Sequence, residues 1–196
     1  MELRDIDRIS LTIDKNILAR VDRLVDGNEI KNRSHAVEIL LSRALGDSCP
    51  KTAVVLCGGK GTRFRPITYE IPKALMPVQG RTLTEHLFDL FKKYNINNIY
   101  LSVGYLKEKI KKHFGDGSKF GVNIHYIEED KPLGTAGPLR LIRDKIRESV
   151  IVSNGDELKD VDLEKMFSVH RQNKALVTIA LTTVNDPSSY LSLIHI

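Results

Sequence analysis

Thr52-Ala53-Val54-Val55-Leu56-Cys57-Gly58-Gly59-Lys60-Gly61-Thr62-Arg63-Phe64-Arg65-Pro66 passes from an apolar run into a turn with three glycines in four residues. A short apolar run stopped by glycine reads as a buried strand with a turn at its carboxyl end. Glycines Gly58, Gly59 and Gly61 let backbone N–H groups approach an anion without obstruction by Cβ. Arg63, and Lys73 within Pro72-Lys73-Ala74-Leu75-Met76-Pro77, add fixed positive charge nearby. The turn is therefore expected to wrap a triphosphate, with Thr62 adding a hydroxyl. It is not a Walker A loop, because Lys60 is followed by Gly61 rather than by Ser or Thr.

Outward from this turn, the pattern predicts strands over 52–57, 98–103, 122–127, 149–153 and 175–183. Helices are expected over 82–94, 105–114, 136–147 and 162–173. Such alternation argues an α/β fold, a Rossmann-like and mainly parallel sheet with helices on both faces. Ligands of such sheets bind outside the carboxyl ends of the strands. Two further motifs fall at such ends. Val150-Ile151-Val152-Ser153-Asn154-Gly155-Asp156 delivers an acid, beside a glycine, to where a metal-bound triphosphate would lie. Mg2+ is typically held by one or two carboxylates plus phosphate oxygens. The simpler alternative is an Asp that caps the next turn. Glu128-Glu129-Asp130-Lys131-Pro132-Leu133-Gly134-Thr135-Ala136-Gly137 follows one expected strand and opens a helix, with glycines that permit close approach to a flat ring.

The pair of motifs at Gly58–Pro66 and Pro72–Pro77 resembles the sugar-phosphate nucleotidyltransferase family, the NDP-sugar pyrophosphorylases. Pro132-Leu133-Gly134-Thr135-Ala136-Gly137 resembles that family's base-binding segment, most closely in its mannose-1-phosphate guanylyltransferase branch. The resemblance implies an enzyme that joins a sugar 1-phosphate to an NTP and releases pyrophosphate. It implies Arg63 on the β- and γ-phosphates, Lys73 on the α-phosphate or the incoming phosphate, and Asp156 as ligand to a Mg2+ cofactor. Gly58, Gly59, Gly61 and Thr62 would wrap the triphosphate, and Glu129, Gly134 and Thr135 would meet the base. A carboxylate at Glu128 or Glu129 suits the ring N–H and amino group of guanine, since uracil and thymine offer one ring N–H. A second metal carboxylate and a sugar-contacting segment would lie beyond Tyr190, so the chain is expected to be a C-terminally truncated form of an enzyme, short of groups that the complete one would use.

The first 46 residues follow another pattern. Arg8-Ile9-Ser10-Leu11-Thr12-Ile13 alternates with period two, as a half-buried strand does. Asp14 is placed to cap a helix over Lys15–Val25, and Asn32 or Ser34 to cap a second that runs to about Leu45. One strand and two helices cannot bury enough surface to stand alone, and a lone strand leaves both edges open. This segment resembles the ribbon-helix-helix family of DNA-binding dimers, over about residues 6–46. The resemblance implies a homodimer or higher assembly, with Arg8, Ser10 and Thr12 facing the major groove. It implies phosphate contact at Asn32, Arg33 and Ser34. Expected organisation is thus 1–46, a short linker 47–51, and a nucleotidyltransferase part 52–190. A DNA-binding regulator that senses nucleotide is the alternative to the enzyme.

Charge separates the two segments. Residues 1–50 hold eight Lys/Arg against nine Asp/Glu, and the remainder holds 22 against 16. The near-neutral charge of the first segment supports the simpler alternative of a dimerisation module alone, since DNA affinity usually rests on phosphate neutralisation by Lys and Arg; DNA contact in addition to dimerisation stays the expectation. The basic second segment suits a polyphosphate substrate. No apolar run approaches the ~20 residues that span a bilayer, and no signal-peptide pattern is present. The expected location is the cytoplasm, without a membrane partner. Cys49 and Cys57 have no metal spacing and are expected as free thiols, one in the linker and one at a strand end. The histidines form no triad-like pattern. Leu191-Ser192-Leu193-Ile194-His195-Ile196 back-translates as CTGTCTCTTATACACATC, which looks like a library-transposon end, and is expected to be a foreign tail. A stop codon after Ile196 in the genome would refute that expectation.

Overall fold

The computed structural model describes residues 7, 9–28, 30–44, 48–131 and 133–182. Arg8, the expected tail at 191–196 and the end of the expected 175–183 strand lie outside the described residues. The chain divides into two units, Met1–Ser48 and Cys49–Ile196.

The first unit carries two helices, α1 (Lys15–Asp22) and α2 (Arg33–Ala44). Asp14 caps α1 as expected, its carboxylate accepting from the N–H of Asn16 at 2.8 Å and of Ile17 at 3.3 Å. The helix stops three residues before the expected Val25, with Leu24 and Val25 closing short turns onto Val21 and Asp22. Of the two candidate caps for α2, Asn32 serves: its Oδ1 accepts from the His35 N–H at 2.9 Å. Residues 9–13 form no ladder within the single chain, so the expected strand is not seen here. A lone strand has no second backbone to take its hydrogen bonds.

The second unit is built on a parallel sheet. Its strands are β1 (Thr52–Leu56), β4 (Asn98–Val103), β5 (Asn123–Glu128) and β6 (Ile151–Asn154), in the order β5-β4-β1-β6. Two short strands the sequence did not signal, β2 (Pro77–Val78) and β3 (Arg81–Thr82), pair as an antiparallel hairpin. The helices are α3 (Leu83–Lys93), α4 (Lys107–Phe114), α5 (Gly137–Leu141) and α6 (Leu163–Gln172). Strand alternation sorts the core into two layers. Ala53, Val55, Cys57, Ile99, Leu101 and Val103 pack with Phe88 and Phe91 of α3, Ile110 and Phe114 of α4, and Leu163 of α6. Val54 and Ile127 face the other way, onto Ile142 and Leu139 at α5. Helices therefore cover both faces. Cys49, expected in the linker, is buried in the first of these layers, as are Phe114 and Ile96.

Two expectations fail in part. The helix expected over 136–147 is regular only to Leu141; beyond it, Ile142 and Lys145 bond back three residues, to Leu139 and Ile142, as successive tight turns. Residues 175–182 form no strand, and Leu176 is 99 % exposed. A strand needs a neighbour to complete its hydrogen bonds, and none of the described strands pairs with this segment. No helix of the described residues is long and apolar enough to cross a membrane.

Candidate functional site

The connection from β1 to β4 moves outward to one side of the sheet, and β6 returns to the other side of β1. The carboxyl ends of β1 and β6 thus flank the point where strand order reverses, which is where open α/β sheets hold ligands. A pocket of about 230 Å³ lies there, lined among others by Gly59, Gly61, Thr62, Arg63, Lys73 and Asp156. Residues expected from three separate motifs are therefore brought to one cavity.

Gly61 holds the turn. Its φ is +58°, and an added Cβ would come within 2.8 Å of Thr68 Cγ2. Its carbonyl accepts from the Thr68 hydroxyl at 2.8 Å and from the Phe64 N–H at 2.9 Å. Thr62, Arg63 and Phe64 then make one 3-10 turn, which carries Arg63 to the rim. Lys73 opens another such turn, Lys73–Leu75. Its Nζ lies 2.6 Å from Asp156 Oδ2 and 5.2 Å from the centre of the Phe64 ring. Gly155 makes the Asp156 position possible: its N–H donates to Leu56 O at 3.0 Å, and a Cβ there would meet Cys57 Sγ at 2.3 Å. Cys57 is buried, and burial pushes its thiol up to about 12, so it stays protonated and is no nucleophile near neutral pH.

Asp156 is the one carboxylate among the residues lining the pocket. Among the described residues no three His, Cys, Asp or Glu side chains converge as a metal cage. This donor set fits a Mg2+ ion that arrives on phosphate oxygens rather than one caged by protein.

Of the expected base-binding residues, Glu129 lies beside the turn. Glu129 follows β5, and its N–H donates to Val103 O at 2.9 Å. Its Oε1 accepts from the Ser102 hydroxyl at 2.5 Å, and its Oε2 from the Leu133 N–H at 3.1 Å. A Cβ on Gly58 would come within 2.8 Å of that Oε1. Gly134 and Thr135 are exposed in the loop that follows. Glu128 points elsewhere. It pairs with Lys107 at 2.7 Å and with Lys111, and those two ammonium groups hold its carboxyl down at about 2. In the first unit, Ser10, Thr12, Asn32, Arg33 and Ser34 are exposed. Arg33 is engaged, giving Asp22 two N–H bonds at 2.7 and 2.8 Å.

Sequence reasoning missed Thr84 and Ser102, both wholly buried. Thr84 precedes Leu87, Phe88 and Phe91 at helical spacing, so a polar residue on an apolar stripe was the available signal. Ser102, by contrast, alternates with Leu101 and Val103 along β4 and faces the other side of the sheet, so the sequence carried no such signal for it.

Similarity to known proteins agrees with this geometry. Residues 52–190 match the model of the family described as nucleotidyl transferase. The chain is 40% identical over 139 residues to a mannose-1-phosphate guanylyltransferase of Mycobacterium tuberculosis (strain ATCC 25618 / H37Rv), covering 70% of this chain and 39% of the relative. It is 37% identical over 139 residues to a D-glycero-alpha-D-manno-heptose 1-phosphate guanylyltransferase of Aneurinibacillus thermoaerophilus, covering 70% and 60%. A UTP–glucose-1-phosphate uridylyltransferase of Synechocystis sp. (strain ATCC 27184 / PCC 6803 / Kazusa) is 37% identical over 144 residues, covering 67% and 37%. The chain thus spans about two to three fifths of the length of these curated relatives. Among solved structures, HddC from Yersinia pseudotuberculosis complexed with GMP-PN superposes with a TM-score of 0.55 at 28% identity, covering 61% of this chain and 53% of that one. On the strength of the matched residues and of the glycine turn, Lys73 and Asp156 gathered at the sheet's switch point, the chain belongs to the nucleotidyl transferase family.

Proposed function

We propose that the protein transfers a nucleotidyl group from an NTP to a sugar 1-phosphate, with GTP and mannose 1-phosphate as the preferred pair. The observation that carries this reading is the 2.6 Å pairing of Lys73 with Asp156 beneath the Gly58–Thr62 turn. A sugar phosphate oxygen attacks the α-phosphorus, the bond from that phosphorus to the bridging oxygen breaks, and pyrophosphate leaves with the electron pair. The nucleophile is already anionic, so no protein base is needed, and catalysis comes from positioning and charge stabilisation. Arg63 at the rim neutralises the leaving pyrophosphate. Lys73 moves from Asp156 to a phosphate oxygen. Asp156, so released, would hold Mg2+, which would supply neutralisation of phosphate charge. Glu129 accepts from the Watson–Crick edge of guanine; a carboxylate has about four lone-pair sites, and Ser102 and Leu133 take two. Two of the relatives are guanylyltransferases by name and the Yersinia structure holds GMP-PN, which supports the choice of base.

Pyrophosphate release from each NTP with mannose 1-phosphate and with glucose 1-phosphate tests the reading. Release is expected to be fastest with GTP and mannose 1-phosphate. No release with any pair, together with salt-sensitive binding to a specific DNA sequence, would favour a regulator.

For the first unit, the reading we favour is a ribbon-helix-helix module that pairs with a second copy. Among the described residues of this unit Ile9, Leu11, Ile17, Leu24, Leu40 and Leu41 are exposed, while Val21 and Ala36 are the apolar residues buried. So large an apolar share on the surface suits an interface. Contact with DNA through Ser10 and Thr12 is the further step, and Arg8 and Thr12 variants that keep the dimer but lose a DNA shift would support it.

A further inference from the structure

A threonine inside a helix can give its hydroxyl to a carbonyl one turn back, but Thr84 is the second residue of α3 and has no such helical carbonyl behind it. Its hydroxyl reaches other segments instead. Its side chain is fully buried, and Oγ1 lies 2.8 Å from the carbonyl oxygen of Gly155, 71 residues away. The carbonyl oxygen of Ala74 is 3.1 Å off on another segment, and Cys57 Sγ is 4.0 Å away. One proton serves two acceptors, so the hydroxyl donates to either carbonyl in turn and sits between both.

The two carbonyls are placed informatively. Ala74 directly follows Lys73, and Gly155 directly precedes Asp156. A single buried hydroxyl thus fastens the two stretches of backbone from which the ion-paired side chains project. Farther along the same face of α3, Leu87, Phe88 and Phe91 pack in the core, so the hydroxyl stands on a helix held by the main apolar layer. Nothing about core packing requires a hydroxyl here. A valine has the same shape, and its neighbours include Cys57, which behaves as a small apolar group.

We propose that Thr84 is a positioning residue: its hydroxyl sets the spacing between Lys73 and Asp156. Its importance for turnover rests on the transfer reaction proposed above; its effect on the geometry of the pair does not. Removing the hydroxyl leaves two buried carbonyls without their donor, and the two segments part until water or another group reaches them.

The test uses Thr84→Val and Thr84→Ser in the full chain. Crystal structures of the ligand-free variants read the Lys73–Asp156 contact. The contact is expected to open in the Val variant and to persist in the Ser variant. A pair that keeps its contact in Thr84→Val, or loses it in Thr84→Ser with the hydroxyl bond intact, overturns the inference. If Thr84→Val does not fold, Thr84→Ala replaces it under the same criterion. Kinetics separate positioning from stability. Misplacement by about 1 Å costs on the order of a hundredfold, so kcat per folded site should fall by about that in Thr84→Val, with KM for the nucleotide little changed. A merely structural Thr84 would lower Tm and leave kcat per folded site at the parent value. Absence of pyrophosphate release in the unmodified protein would sink the proposed reaction alone, since the variant structures still decide the role of Thr84.

Discussion

Arg63 and Lys73 divide the positive charge of the pocket unequally. Lys73 is bound to Asp156 before any ligand arrives, so the pair is nearly neutral and a phosphate must separate it. Arg63 stands at the rim on a 3-10 turn, exposed, with its guanidinium available to two oxygens of a leaving group. Negative charge on the β- and γ-phosphates grows as pyrophosphate departs, so a guanidinium held against them gains most in the transition state. Arg63→Ala should therefore lower turnover by at least about a hundredfold, the loss typical of one transition-state donor. Initial-rate measurements of pyrophosphate release check it, and turnover near the parent value removes Arg63 from the mechanism.

Helix α3 links the pocket to the core and carries a second polar network on its outer flank. Glu85, next to Thr84, receives the His113 ring of α4 at 2.8 Å and Arg81 at 3.4 Å, and its own N–H is capped by the Thr82 hydroxyl. Burial pushes the Glu85 carboxyl up, but His113, Thr82 and Arg81 together outweigh it and hold it below the ordinary 4.5. A carboxyl lowered in the folded state contributes stability that is present above about pH 4.5 and is lost as pH falls through its folded value. Glu85→Gln should thus lower Tm at pH 7, and the gap to the parent should close below pH 4.5; a gap that does not change with pH refutes the linkage. The same helix shows what sequence could and could not disclose. The stripe Leu87, Phe88, Phe91 and the apolar strand Ala53–Leu56 are local patterns, so the sheet, its parallel order and the glycine turn were legible. The contacts of Thr84, Ser102 and Glu128 were not. Each is decided by a partner at least 10 residues distant, and Glu128 is drawn off by lysines 21 and 17 residues earlier. The unpaired stretch 175–182 was misread for a related reason: β-propensity is a local property, whereas a strand exists only beside another.

Two units with opposite habits share the chain. The second buries two continuous apolar layers around its sheet, while the first, among its described residues, buries Val21 and Ala36 and leaves Ile9, Leu11, Ile17, Leu24, Leu40 and Leu41 exposed. A unit of that size with so small a core does not reach independent stability without a partner. Pairing two copies around a twofold axis solves this with a single sequence, because each copy offers the same surface to the other. Residues 9–13 are suited to it: Ile9 and Leu11, 70% and 55% exposed, alternate with Ser10 and Thr12, so an antiparallel ribbon would bury one face and leave the hydroxyls on the other. The protein is therefore expected to sediment as a dimer or larger assembly at micromolar concentration. Leu11→Glu, which brings two like charges together across such a ribbon, should shift it to monomer. Ser10→Glu, on the opposite face, should leave the assembly intact. Sedimentation of the unmodified chain as a monomer would refute the pairing, and equal effects of the two variants would place the interface somewhere other than the ribbon.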